Sequence, residues 1–259
     1  MSVSKIVLSF DDGRKDNLRV VEKILEPNHI PATINLTTGY IDDTAGKDRR
    51  PGPNLPLSVY EAQRLGSYEN IEIAGHGWAH LNTLEDLKKG LDTLREWFPD
   101  RKINGIASPN SMLSEEEILA MQPQFEAMGI DYVRIGAGAT YHGMRRVMGE
   151  VSRTLHSNGL FIESNRGATA HTLDRFVLTS VPVMRQQKLH QVLALVRSCV
   201  ERGEDLILMF HSIVKPDEPF YYDTWSWDYE DFELLCEYLV AYREAGDVIL
   251  TTTAEAVAK

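Results

Sequence analysis

The chain carries two adjacent carboxylates, Asp11-Asp12, followed by Gly13 at the end of an apolar run. Two imidazoles four residues apart, His76 and His80, leave the end of a second apolar run, and His211 ends a third. Unpaired charge is costly where a buried strand ends, so Asp11-Asp12 asks for a compensating cation, a role a metal could fill. On Asp-Asp-Gly alone, a carboxylate capping a helix that starts near Arg14 is the competing reading. A histidine pair at i and i+4 faces one way if it lies on one helical turn, and it is a recurring ligand pair for first-row metals. One carboxylate and two imidazoles make a three-ligand site with positions left open for water and substrate. A second carboxylate and a third histidine then remain for proton transfer. This donor set suits zinc, iron, cobalt, nickel or manganese, with zinc the default expectation.

Short β-rich runs over 5–10, 32–36, 70–74, 103–107, 132–135, 176–181, 206–210 and 248–251 must position these groups. Between them apolar residues recur at helical spacing, as in Leu84, Leu87, Leu91, Leu94 and in Leu189, Val192, Leu195, Val196. Such alternation predicts an α/β fold of parallel strands joined by crossover helices, as a barrel or an open doubly wound sheet. Asp11-Asp12, His76 and His211 sit at the C-terminal ends of three different strands, which favours the barrel. Residues 41–57 and 136–170 break the rhythm and read as loops or insertions over the barrel mouth.

A length of 259 residues and 43% hydrophobic content allow one sizeable core, and no linker or repeat interrupts the chain, so a single domain over 1–259 is expected. With 27 basic against 38 acidic residues the net charge is −11, which leaves no basic face for nucleic acid. No secretion signal opens the sequence and no stretch of about 18 apolar residues occurs, so a cytoplasmic protein without a membrane span is expected. Cys199 and Cys236 read as buried free thiols. His29, His142, His156, His171 and His190 have no spacing partner and read as surface residues. Oligomeric state has no signal here.

Taken in order, Ser9-Phe10-Asp11-Asp12-Gly13, then His76-x-x-x-His80, then Phe210-His211-Ser212 resemble the polysaccharide deacetylases of carbohydrate esterase family four. The resemblance implies a distorted (β/α) barrel of about seven strands and hydrolysis of an N- or O-acetyl group from an acetylated carbohydrate. It implies Asp12, His76 and His80 as ligands of a divalent metal, Asp11 as general base and His211 as general acid. The segment Ala107-Ser108-Pro109-Asn110-Ser111 is similar to the family's third motif, with Asn110 as a backbone donor to the oxyanion. Ala107 stands where that motif has the arginine that pairs with the base, and Ser111 where it has glycine. Gly77 stands where the family favours Ser or Thr. Arg134, at a strand end, is expected to reach the mouth, as a substitute for that arginine or as a substrate contact. Trp225, Trp227 and Tyr222 are candidates to stack on a sugar ring.

Two other readings fit the same residues. A barrel of this superfamily could hydrolyse a non-sugar amide or formyl group, though such relatives often lack the metal triad. A silent carbohydrate-binding protein could have kept the metal and lost turnover with the arginine at position 107.

Overall fold

The computed structural model describes residues 3–45, 55–137, 143–169, 173 and 175–258. His142 and His171 lie outside them, as do residues 46–54 of the 41–57 stretch.

Seven parallel strands form the sheet in chain order: β1 (Ser4–Phe10), β2 (Ala32–Leu36), β3 (Ile71–Gly75), β4 (Gly105–Ala107), β5 (Tyr132–Gly136), β6 (Val177–Pro182) and β7 (Leu206–Phe210). Pairing of β1 with β7, Ile6 opposite Leu206 through Phe10 opposite Phe210, closes them into a barrel. A short parallel ladder of β8 (Ser212–Val214) and β9 (Ser226–Asp228) follows β7, and β10 (Val248–Leu250) comes last. Strand β10 pairs with residues 4–6 of β1 and β2 pairs with residues 8–10, so the two share one edge of β1 end to end. The sequence periodicity located the seven barrel strands and β10. It passed over β8 and β9, which are three residues each and carry no alternation long enough to register.

The period-two alternation of each strand sorts its residues. Ile6, Leu8 and Phe10 of β1, Val133 and Ile135 of β5, and Leu206, Leu208 and Phe210 of β7 belong to the large apolar cluster shared with the surrounding helices. Val7, Tyr132, Leu178 and Ile207 form a separate small cluster with Leu173 and Ala256, the apolar filling of the barrel interior. The outer cluster is closed by aromatic contacts of Phe232 with Phe10 and Phe210, whose ring centroids lie 5.8 and 5.3 Å away. Truncating such a ring to alanine costs about 3–5 kcal/mol.

The interior is polar away from that filling. At one level Glu72 accepts from Thr33 Oγ1 (2.7 Å), Tyr132 Oη (2.7 Å) and the backbone N–H of Ala254 (2.9 Å). Ala254 belongs to the helix Thr253–Val257, whose N-terminus is thereby pinned to the barrel. Orphan N–H groups of a helix start need acceptors, and a buried carboxylate is a strong one. Further along the strands Asn35 donates to Ser9 Oγ, and Arg134 donates to Ser180 Oγ and Met209 Sδ.

Among the described residues of the 136–170 stretch, expected as a loop or an insertion, lie helices Met144–Leu155 and Asn158–Asn165. The apolar stripe Met144, Val147, Val151 and Leu155 faces outward, while Gly149 and Ser152 are buried, so the side packed on the protein gives no hydrophobic pattern. Both cysteines are buried and free.

Candidate metal centre and its surroundings

The alternation that fills the barrel also aims the chemistry. Val7 and Ser9 point inward, so Asp11 continues that register; Glu72 and Ala74 lead to His76, Tyr132 to Arg134, and Ile207 and Met209 to His211. Asp12 falls on the opposite register and reaches the same side because its backbone turns left-handed (φ 74°), followed by Gly13 at φ 68°. His80, Asn110 and Ser111 also have positive φ, at 60°, 51° and 50°. Non-glycine residues adopt this region at a cost, and its concentration around one cavity marks a place where side-chain direction outweighs local strain. Asp12 does not cap a helix: the helix Asp16–Val20 starts after Lys15 without a side-chain cap.

His76 and His80 are not on a helical turn. The segment between them is a loop with Gly77 at φ 79°, organised from outside by Asp86. That carboxylate accepts from the backbone N–H groups of Trp78 (3.0 Å), Ala79 (2.8 Å) and Leu81 (3.1 Å). Asp86 lies in the first turn of helix Leu84–Trp97, capped by Thr83. Gly90 of the same helix lets it touch the loop, since a Cβ there would stand 2.7 Å from the carbonyl carbon of Gly77. Sequence spacing found the two histidines and missed Asp86, whose only signal is an acidic residue in a first turn.

The outcome is a compact cluster. Asp12 Oδ1 lies 3.5 Å from Nε2 of His76 and 3.5 Å from Nε2 of His80, and the two Nε2 atoms are 3.1 Å apart. These ligand atoms all lie within 4.8 Å of one another, among residues that are buried or nearly so. His76 Nδ1 donates to the carbonyl of Ala107 (2.9 Å), which leaves Nε2 with its lone pair toward the cluster. His80 Nδ1 lies 3.4 Å from Nδ2 of Asn110; exchange of the amide nitrogen and oxygen would let the oxygen accept from Nδ1–H and leave Nε2 unprotonated. Asp12 Oδ1 is buried without a hydrogen-bond partner, whereas Oδ2 is taken by Arg14 Nε (3.1 Å) and Nη2 (3.0 Å). An orphaned carboxylate oxygen facing the Nε2 atoms of two imidazoles, one of them fixed in the ligating tautomer by Ala107, fits a divalent cation.

Beside this cluster, Asp11 Oδ1 accepts from Arg134 Nη2 and from Asn35 Nδ2 (2.9 Å). Arg134 is fully buried and also donates to Ser180 Oγ (2.8 Å) and to Met209 Sδ (2.9 Å). It is the direct cross-strand partner of Ala107. Both donors to Asp11 fall on Oδ1, so Oδ2 is the oxygen left to act. Burial would raise the Asp11 carboxyl, but Arg134 and the neighbouring histidines outweigh it and hold the group below the usual carboxylate range. For Asp12 burial is likewise the largest influence and is overcome, here by His76, His211 and Arg14, so it too is ionised. Burial lowers His80 and His211 to about 4, so both rings are neutral at pH 7. His76 goes the other way: burial lowers it, but Asp11 and Asp12 together raise it.

A cavity of about 530 Å³ opens over this floor, lined among others by Asp11, Asp12, His76, His80, Asn110, His211 and Trp225. The Trp225 ring lies 4.6 Å from that of His211 and is 38% exposed, so one face is available. The remaining candidates lie elsewhere. Arg134 is below the floor, engaged with Asp11, and does not line the cavity. Tyr222 is 86% exposed and outside the lining, and Trp227 is core, donating from Nε1 to the carbonyl of Gln187 (2.9 Å). Arg14, unmarked in the sequence, is a buried lining residue that also reaches Ser212 Oγ and Asp223 Oδ2, both at 3.2 Å.

The parallel barrel thus gathers a candidate three-ligand cluster and a second carboxylate at the C-terminal ends of its strands, the face where barrels of this kind carry chemistry. Residues 1–121, a stretch that holds Asp11, Asp12, His76 and His80, match the family model described as polysaccharide deacetylase. Among curated proteins no match is found. Among solved structures, the chain is similar to the deacetylase domain of BpsB from Bordetella bronchiseptica (16% identity, 50% of this chain and 62% of that one, TM-score 0.41). It is similar to IcaB from Ammonifex degensii (16%, 50% and 58%, TM-score 0.41) and to a family 4 carbohydrate esterase from Bacillus anthracis (12%, 99% and 86%, TM-score 0.46). The alignment thus spans about three fifths of the first two structures. Among the described residues no helix is long and apolar enough to cross a membrane.

Proposed function

We propose that this chain is a metal-dependent hydrolase that removes an acetyl group from an acetylated carbohydrate. The observation that carries the reading is the buried, unpartnered Asp12 Oδ1 beside the Nε2 atoms of His76 and His80, with Asp11 adjacent. Asp12, His76 and His80 would hold the cation, zinc being the default among metals suited to this donor set. When bound, it would act as a Lewis acid that polarises the acyl carbonyl and acidifies water.

The chain's own residues supply the rest. Asp11, ionised and fixed through Oδ1, takes a proton from the attacking water on Oδ2. Arg134 performs the positioning that the arginine at the Ala107 position performs in the family motif; it orients Asp11 and is not itself a substrate contact. His211 delivers a proton to the leaving amine or hydroxyl. Because its resting ring is neutral, His211 takes up that proton from solvent at the open cavity, and Asp11 returns to solvent the one it took from water. The backbone N–H of Asn110, on its left-handed turn at the cavity wall, donates to the developing oxyanion. Trp225 stacks on the sugar.

The test is acetate release from N- and O-acetylated oligosaccharides by metal-stripped protein with and without added zinc or cobalt. The expected result is release that depends on metal and is abolished by Asp11→Asn. Metal-dependent hydrolysis of formyl or cyclic amides, without acetate release, would move the activity to a non-sugar substrate; metal binding without turnover on any of them would favour a silent binding protein.

A further inference from the structure

Asp12 is held differently from a carboxylate free to chelate. Two guanidinium nitrogens of Arg14, Nε at 3.1 Å and Nη2 at 3.0 Å, lie on Oδ2, whereas Oδ1 is buried without a hydrogen-bond partner and faces the two histidines. Arg14 is itself immobilised: it is 3% exposed, its backbone N–H donates to Asn17 Oδ1 (3.1 Å), and Nη1 reaches Ser212 Oγ and Asp223 Oδ2 (3.2 Å each). Asn17 in turn donates to the carbonyl of His211 (2.8 Å), so the anchors of Arg14 lie on the segments that leave β1 and β7. A planar guanidinium gripped at both ends cannot swing away from Oδ2 without breaking several buried hydrogen bonds.

Resting on the metal reading above, we propose that Arg14 is a positioning residue that restricts Asp12 to a single ligating oxygen. It denies Oδ2 to the cation, presents Oδ1 to it, and so keeps a coordination position for water and the acyl oxygen that a chelating carboxylate would fill. It also places a fixed positive charge next to the cation, which weakens binding relative to an uncharged neighbour.

The test is to crystallise the full chain with Co²⁺, as wild type and as Arg14→Met, which preserves bulk but removes the charge and the paired donors, and to titrate both with Co²⁺. In the wild type the cation is expected on Oδ1 alone, with Arg14 still on Oδ2. In Arg14→Met both oxygens of Asp12 are expected on the cation, with Co²⁺ binding tighter by on the order of tenfold. A wild-type complex in which Asp12 chelates and Arg14 is displaced would overturn the proposal, as would a folded Arg14→Met in which Asp12 still uses one oxygen. If Arg14→Met does not fold, the wild-type complex alone decides. A wild type that binds no Co²⁺ would instead remove the metal reading on which the proposal rests, a separate outcome.

Discussion

Arg134 Nη2 donates to Asp11 Oδ1 from the strand position directly opposite Ala107, so the guanidinium that steadies the proposed base comes from β5 and not from β4. The pair is buried, and its partners Asn35, Ser180 and Met209 fix both ends. Removing one member of such a pair leaves a buried charge without compensation.

Arg134→Met is therefore expected to lower turnover by about 100-fold or more, on the scale of a general base, while metal binding persists. Arg134→Lys, with one compact charge in place of a planar fork, is expected to recover only part of it. Returning the guanidinium across the ladder in Ala107→Arg/Arg134→Met should restore activity above the single variant. Steady-state acetate release checks all three; full activity in Arg134→Met would separate Arg134 from the base.

Asp86 holds the backbone between the two histidines without touching either ring. Asp86→Ala frees three backbone N–H groups of that loop, and metal affinity is expected to fall by about 10- to 100-fold, as for other groups that orient ligands. Isothermal titration of metal-stripped protein measures it, with circular dichroism to establish that the barrel is intact. Unchanged affinity would mean that the loop keeps its shape without Asp86.

The candidate metal cluster and the third histidine were legible because each stands where an apolar strand ends, and period-two alternation carries Asp11, His76 and His211 into the same interior. Asp12 was legible by type and neighbour, but its direction depends on a left-handed backbone that no periodicity signals. Arg14 and Asp86 were not legible: each acts through contacts with segments distant in sequence or with backbone atoms, and such contacts leave no spacing pattern. The helices within 136–170 escaped for the opposite reason, since their apolar stripe faces outward and a small-residue face packs inward. Tyr222 and Trp227 show that aromatic composition near a site does not say which ring faces it: one is exposed outside the cavity and the other is core.

Glu72 gives a pH signature independent of the catalytic groups. Burial, its largest influence, raises its carboxyl above the ordinary 4.5 despite three donors. The folded state therefore holds the proton to a higher pH than the unfolded chain does. Its favourable contribution is fully present below about 4.5 and is lost as pH rises from there through the raised value. Glu72→Gln, neutral at every pH, should remove that component of the slope. Urea midpoints of wild type and variant across pH 4–8 measure it; parallel profiles would contradict the assignment.

Trp225, tilted against His211 and partly exposed at the cavity, is expected to act on substrate binding more than on chemistry. Trp225→Ala should raise KM by up to about tenfold, the scale of one aromatic contact, with a smaller effect on kcat. An unchanged KM with a large fall in kcat would instead make the ring a support for His211.

In the proposed mechanism one cation held by Asp12, His76 and His80 enables acetyl hydrolysis with Asp11 as base. The most direct measurement pairs metal stoichiometry with acetate release on the same samples of wild type, His80→Ala and Asp11→Asn, each stripped and titrated with zinc. One zinc per wild-type chain is expected, with acetate release that tracks occupancy, little zinc and little release in His80→Ala, and near-normal zinc without release in Asp11→Asn. Full acetate release by metal-free protein, or by Asp11→Asn, would contradict it.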